Sequence, residues 1–70
     1  MRKYLITLKP APNDHKVAKQ QLEAILNEMG IDHQIESLWH WGSTKAIVKL
    51  SPTNVHKIEK LDSVQYIVAA

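Results

Sequence analysis

At 70 residues the chain has the size of one small domain, spanning 1–70, and a chain this short buries a low fraction of its surface. It has no cysteine, which excludes disulfides and thiolate metal sites as supports and leaves a partner or very regular packing to supply part of the stability. The formal net charge is only +2, with both signs interspersed; this argues against a nucleic-acid partner, which needs a clustered basic face.

The first ten residues, MRKYLITLKP, are basic but lack a long apolar region or a small-residue cleavage site, so no signal peptide is read there. No apolar run approaches the ~20 residues of a membrane span, so no membrane partner is expected. Localisation is left open. Within this stretch, Tyr4 to Lys9 is rich in strand formers and is stopped by Pro10 and Pro12, which lack backbone donors. Tyr4, Ile6 and Leu8 share one face of the strand, and Leu5, Thr7 and Lys9 the other.

Asn13 or Asp14 supplies a short side-chain oxygen to cap a helix. Val17, Ala18, Leu22, Ile25, Leu26 and Met29 then recur at helical spacing, and Gly30 ends the run at a left-handed position. A second strand is predicted over His33 to His40. Ile35, Ser37, Trp39 and Trp41 share one parity and Leu38 and His40 the other, so either a bulge occurs near Ser37 or the strand is apolar on both sides. Both tryptophans of the chain lie here. One is expected to cover the core edge and the other to lie on the open face or its rim, Trp41 being the more exposed.

The stretch Trp41-Gly42-Ser43-Thr44 gives a hairpin turn with Gly42 free to take positive φ. In the third strand, Lys45 to Leu50, Ala46, Val48 and Leu50 face one way and Lys45, Ile47 and Lys49 the other. Ser51-Pro52 starts a second helix with a hydroxyl cap and a proline in the first turn, and Val55, Ile58 and Leu61 form its buried stripe. Val64 to Ala70 is the last strand, with Val64, Tyr66 and Val68 expected inward and Gln65 and Ile67 outward.

The order βαββαβ predicts an α+β, ferredoxin-like plait: a four-stranded antiparallel sheet, first and third strands central, with two helices on one face. A three-stranded sheet with a disordered tail is the alternative. Helices on one side leave the other sheet face to water or a partner. That face is expected to carry Leu5, Thr7, Ile47, Lys49 and Ile67, an apolar cluster of the kind that marks an interface.

Lys3 to Lys9 (KYLITLK) and Lys45 to Ala70 (KAIVKLSPTNVHKIEKLDSVQYIVAA) resemble the propeptide domains of subtilisin-like serine proteases and the free-standing inhibitors similar to them. Lys3, Tyr4, Leu5, Ile6, Leu8 and Lys9 match the family's first block; Val48, Leu50, Ser51, Val55, Ile58, Val64, Tyr66 and Ile67 match its second. The resemblance implies a protease inhibitor or intramolecular chaperone whose open sheet face packs on the protease. It also implies a C-terminal tail that enters the substrate cleft as an added strand, here Ile67, Val68, Ala69 and Ala70, with backbone pairing giving affinity. Two departures stand out. The family's acidic residues after the last strand are replaced by Val68-Ala69-Ala70, and its further tail is absent. Four subsites need on the order of 13 Å of extended chain, so insertion requires the strand to end near Tyr66.

No catalytic constellation is visible, since Ser37, Ser43, Ser51 and Ser63 sit in no nucleophile elbow or triad spacing. His33 and His40 are expected on opposite sides of their strand and His15 and His56 on separate helices, so no metal set is expected and no cofactor is implied. RNA binding would need stacking aromatics on the central strands, which hold Leu5, Thr7, Ile47 and Lys49 instead. The rival to a protease-binding module is a self-associating domain without a protease partner, a homodimer pairing through the same apolar face or through the strand with the tryptophans.

Overall fold

The computed structural model describes residues 1–9 and 15–70; the expected roles of Pro10 and Pro12 in stopping the first strand, and of Asn13 or Asp14 as a helix cap, lie outside the described residues. The elements run β1 (Arg2–Leu8), α1 (His15–Glu28), β2 (His33–Trp41), β3 (Ser43–Leu50), a 3₁₀ turn (Pro52–Asn54), α2 (Val55–Glu59) and β4 (Val64–Ala69). The four strands form one antiparallel sheet in the order β2-β3-β1-β4. The expected βαββαβ plait is thus the observed fold, with β1 and β3 in the middle.

Alternation decides what is buried. Along β3, Thr44, Ala46, Val48 and Leu50 are buried while Ser43, Lys45, Ile47 and Lys49 are half-buried. Tyr4, Ile6 and Leu8 of β1 join the β3 set, and the cluster is completed by Leu22 and Leu26 of α1, Ile58 of α2, Ile31 and Val64. Helices and one parity of the central strands therefore share a single core, and among the described residues the opposite parity forms a face without a helical cover.

The helix ends follow from local chemistry. Gly30 has φ 69°; its amide donates to the Asn27 carbonyl and the Ile31 amide to the Leu26 carbonyl, both at 3.0 Å. This is the Schellman arrangement, in which the residue after the glycine packs back on the last turn. Ile31 does so from the core, a position that helical periodicity stopping at Gly30 does not reveal. Ser51 precedes the 3₁₀ turn, with Pro52 as its first residue. The Ser51 hydroxyl does not cap the backbone as expected; it meets the Thr53 hydroxyl at 2.9 Å.

Two β-bulges set the faces of the outer strands. In β2 the register to β3 shifts between Ile35 and Ser37, so Glu36 is the extra residue, where the sequence placed one of its two readings. In β4 the register to β1 shifts between Val64 and Tyr66, opposite Leu8 and Thr7, which makes Gln65 the extra residue. The second bulge reverses the expected parity of the strand. Val64 stays inward, but Tyr66 and Val68 turn outward, 48% and 47% exposed, while Ile67 packs against the core.

The five-residue helix α2 is tied to the sheet mainly through Ile58, which is fully buried. Ile58→Ala removes the anchor and leaves a cavity, at a cost of about 2–5 kcal/mol. Urea denaturation followed by circular dichroism is expected to show the unfolding free energy falling by that amount, as a lower midpoint with unchanged slope; a loss under 1 kcal/mol would mean that α2 is not part of the cooperative unit.

Candidate functional site: the open sheet face

Register alone lays out the uncovered face in rows, because directly paired residues project to the same side. One row is Gln34–Lys49–Lys3. The next is Ser37–Ile47–Leu5–Val68, and the third Trp39–Lys45–Thr7–Tyr66. The middle row is an apolar band crossing three strands. Leu5 and Ile47 in it are half-buried and Val68 is exposed.

Of the residues expected on this face, Leu5, Thr7, Ile47 and Lys49 are there. Ile67 is not: it pairs with Ile6 and packs into the core, because the bulge at Gln65 shifts the alternation by one. Val68 takes the place foreseen for Ile67, opposite Leu5. The chain from Ile67 to Ala70 is not a detached segment either. Ile67, Val68 and Ala69 pair with Ile6, Leu5 and Tyr4, and the Ala70 amide donates to the Lys3 carbonyl at 3.1 Å. Entry of these four residues into a cleft would require stripping them from β1.

Trp39 is half-buried at the outer end of the third row. Trp41 ends β2 opposite Ser43; its side chain, and with it the expected rim position, lies outside the described residues. The two histidines of β2 share the helix-side parity, paired with Leu50 and Thr44, instead of facing opposite sides. The bulge between them shifts the alternation, and they remain about 20 Å apart along the strand. His33 Nδ1 lies 2.9 Å from the Ile31 carbonyl oxygen and His40 Nδ1 3.3 Å from Thr44 Oγ1. Among the described residues no three His, Asp or Glu side chains gather as a metal set would require.

An ion cluster occupies one end of the face. Lys3 and Lys49 are direct cross-strand neighbours, a like-charge pairing that is unfavourable by itself. Glu36, the bulge residue, lies across both: its Oε2 is 3.2 Å from Lys3 Nζ and its Oε1 is 3.1 Å from Lys49 Nζ. The hydrogen bond from Lys49 does most to hold the Glu36 carboxyl below its ordinary value; burial opposes it, and the hydrogen bond from Lys3 together with the charges of both lysines keeps the net shift downward. Sequence alternation gives no sign of this cluster, since it depends on the bulge bringing an acid over two lysines.

The third row contains an anomaly. Thr7 is 1% exposed although, among the described residues, no helix covers its side of the sheet, and its Oγ1 has no hydrogen-bond partner. Lys45, its neighbour on β3, donates to Ser43 Oγ at 2.9 Å. Tyr66 is its neighbour on β4.

A scan against models of known protein families finds no match for the chain, and a search of curated proteins finds none either.

The face assignment predicts opposite outcomes for two isoleucines. Ile47→Asp places a carboxylate between Lys45 and Lys49 on the open side and is expected to leave the circular dichroism spectrum intact. Ile67→Asp puts an unpaired charge against the core and is expected to unfold the domain. The reverse result would mean that β4 has no bulge. Glu36 adds a pH dependence. Its folded-state pKa is depressed, so its contribution is fully present above the pKa of the unfolded chain and is lost as pH falls through the lower folded value. In acid titrations of stability, Glu36→Gln should show a shallower decline over that window than the unaltered chain.

Proposed function

We propose that the chain is a propeptide-like binding module, an inhibitor and/or folding chaperone of a subtilisin-like serine protease, and that it docks through its open sheet face. The observation that carries this reading is the apolar band Ile47–Leu5–Val68 on the uncovered side of a βαββαβ plait. The sequence resemblance in Lys3 to Lys9 and Lys45 to Ala70 supplies the protease partner. Binding to a native-like surface stabilises whatever state displays it, which is how one face serves both inhibition and assisted folding.

The docking role falls on Leu5, Ile47 and Val68, with Thr7 and Lys49 beside them, and not on a free tail. Ala69 and Ala70 contribute only if pairing with β1 is surrendered. A homodimer through the same face is the weaker reading: among the described residues Lys3 and Lys49 share the one carboxylate of Glu36, and a second copy would bring the same basic set against them.

Subtilisin activity measured against increasing protein provides the test. Inhibition is expected at micromolar concentration, with Ile47→Asp shifting the inhibition curve at least about tenfold, the loss of a central apolar contact. Sedimentation should give a monomer mass at every concentration. Full subtilisin activity at micromolar protein, or a mass that doubles with concentration, would reject the assignment.

A further inference from the structure

We infer that the bulge residue Glu36 sets the charge that the open face asks of its partner: bridged by this one acid, Lys3 and Lys49 keep a single positive charge in excess and select a protein surface that lays one aspartate or glutamate over the row Gln34–Lys49–Lys3. This rests on the docking role proposed above and names what the docking partner must carry at that end of the face.

The cluster is closed within itself. Glu36 Oε2 lies 3.2 Å from Lys3 Nζ and Oε1 3.1 Å from Lys49 Nζ. Among the described residues neither ammonium has any other ion-pair or hydrogen-bond partner. Two ammonium groups therefore share one carboxylate. The hydrogen bond from Lys49 above all holds that carboxyl below its ordinary range, so it is ionised at neutral pH. Each ammonium has three N–H donors, so donors as well as charge are left over. The side chains of Lys3 and Lys49 are 55% and 38% exposed, within reach of a group arriving from outside.

The alternation does not require an acid at this place. A bulge needs one extra residue, and glutamine or serine would fill the position without charge. With a neutral residue there, Lys3 and Lys49 would stand opposed across the strands, a pairing that is unfavourable alone. Glu36 offsets that repulsion and leaves less charge for a partner to answer.

Position makes the remainder matter. Lys3 and Lys49 are each two residues from the apolar band, beside Leu5 and Ile47 on the same side of the sheet, a step of about 7 Å. A surface that covers the band reaches the cluster. An ammonium covered without an answering charge is costly, whereas a carboxylate set there gains charge-assisted hydrogen bonds. Charges at the margin of an interface act mainly through the rate of association and its response to salt. The occupant is accordingly a protease surface that is apolar over Leu5, Ile47 and Val68 and acidic at the Lys3–Lys49 end.

Substitutions that change the charge count test this. Glu36→Gln raises the excess from one to two, Lys49→Gln lowers it to zero, and the two together restore it to one. Each variant and the unaltered chain are titrated against subtilisin between about 0.05 and 0.5 M salt, and circular dichroism verifies the fold of the free proteins. At the low-salt end Glu36→Gln is expected to bind about two- to fivefold more tightly, and Lys49→Gln more weakly by the same factor. The fall of affinity with salt should be steeper for Glu36→Gln, flatter for Lys49→Gln, and as in the unaltered chain for the double variant. That last result separates charge from structure, since two structural defects would add. The double variant has no opposed lysines, so its comparison with Lys49→Gln decides the question even where Glu36→Gln is unstable. If the unaltered chain binds subtilisin and all four proteins share one salt dependence, or Glu36→Gln weakens binding as Lys49→Gln does, the inference is refuted while the docking role stands. If the unaltered chain does not bind subtilisin, the docking role fails and this inference with it.

Discussion

A pleated strand shows successive side chains to opposite sides, and the helices of this chain cover only one of them. The structure depends on keeping that alternation in step across four strands. The central pair does so without interruption, from Arg2 opposite Leu50 to Thr7 opposite Lys45. Everything apolar on one parity of β1 and β3 enters the core with both helices. Everything on the other parity is left for the surface, whether it is lysine or isoleucine. Leu5 and Ile47 point to the open side because their neighbours in sequence are needed beneath the helices.

The outer strands are held in step by insertion. Each carries one extra residue, Glu36 in β2 and Gln65 in β4. A bulge lets a strand change parity part-way along, so both ends can satisfy the core. In β2 this admits Ile35 and Leu38 to the helix side while keeping Trp39 outside. In β4 it admits Val64 and Ile67, and turns Tyr66 and Val68 out. The bulged Glu36 also answers a problem the central pair creates, the opposition of Lys3 and Lys49, by bridging both. Parity, ion pairing and the composition of the open face therefore have a common origin in two single-residue insertions.

The frame was legible in the sequence wherever alternation or helical spacing was strict. Lys45 to Leu50 reads unambiguously, as does the stripe Ala18, Leu22 and Leu26. The turn at Gly42, with φ 72°, and the stop at Gly30 were legible because only glycine takes those angles without strain. The bulge in β2 was legible as a conflict, apolar residues falling on both parities around Ser37. The one in β4 was not. Tyr66-Ile67-Val68 is apolar at every position, so either parity buries something acceptable, and only pairing with β1 decides between them. The candidate face was consequently read with the right central strands and the wrong outer residue. The lone hydroxyl of Thr7 and the reach of Glu36 across two strands are products of tertiary placement, and no periodicity encodes them.

The same insertions bear on how the molecule meets copies of itself at its margins. A sheet of four strands ends in two rims of backbone amides and carbonyls, and a straight rim is a template for another chain. Here each margin is kinked, one at a charged residue and one at a solvent-facing glutamine. A kinked margin offers its donors and acceptors out of step with any regular strand laid beside it. The borders of the domain thus discourage the ladder-like growth that leads to fibrils.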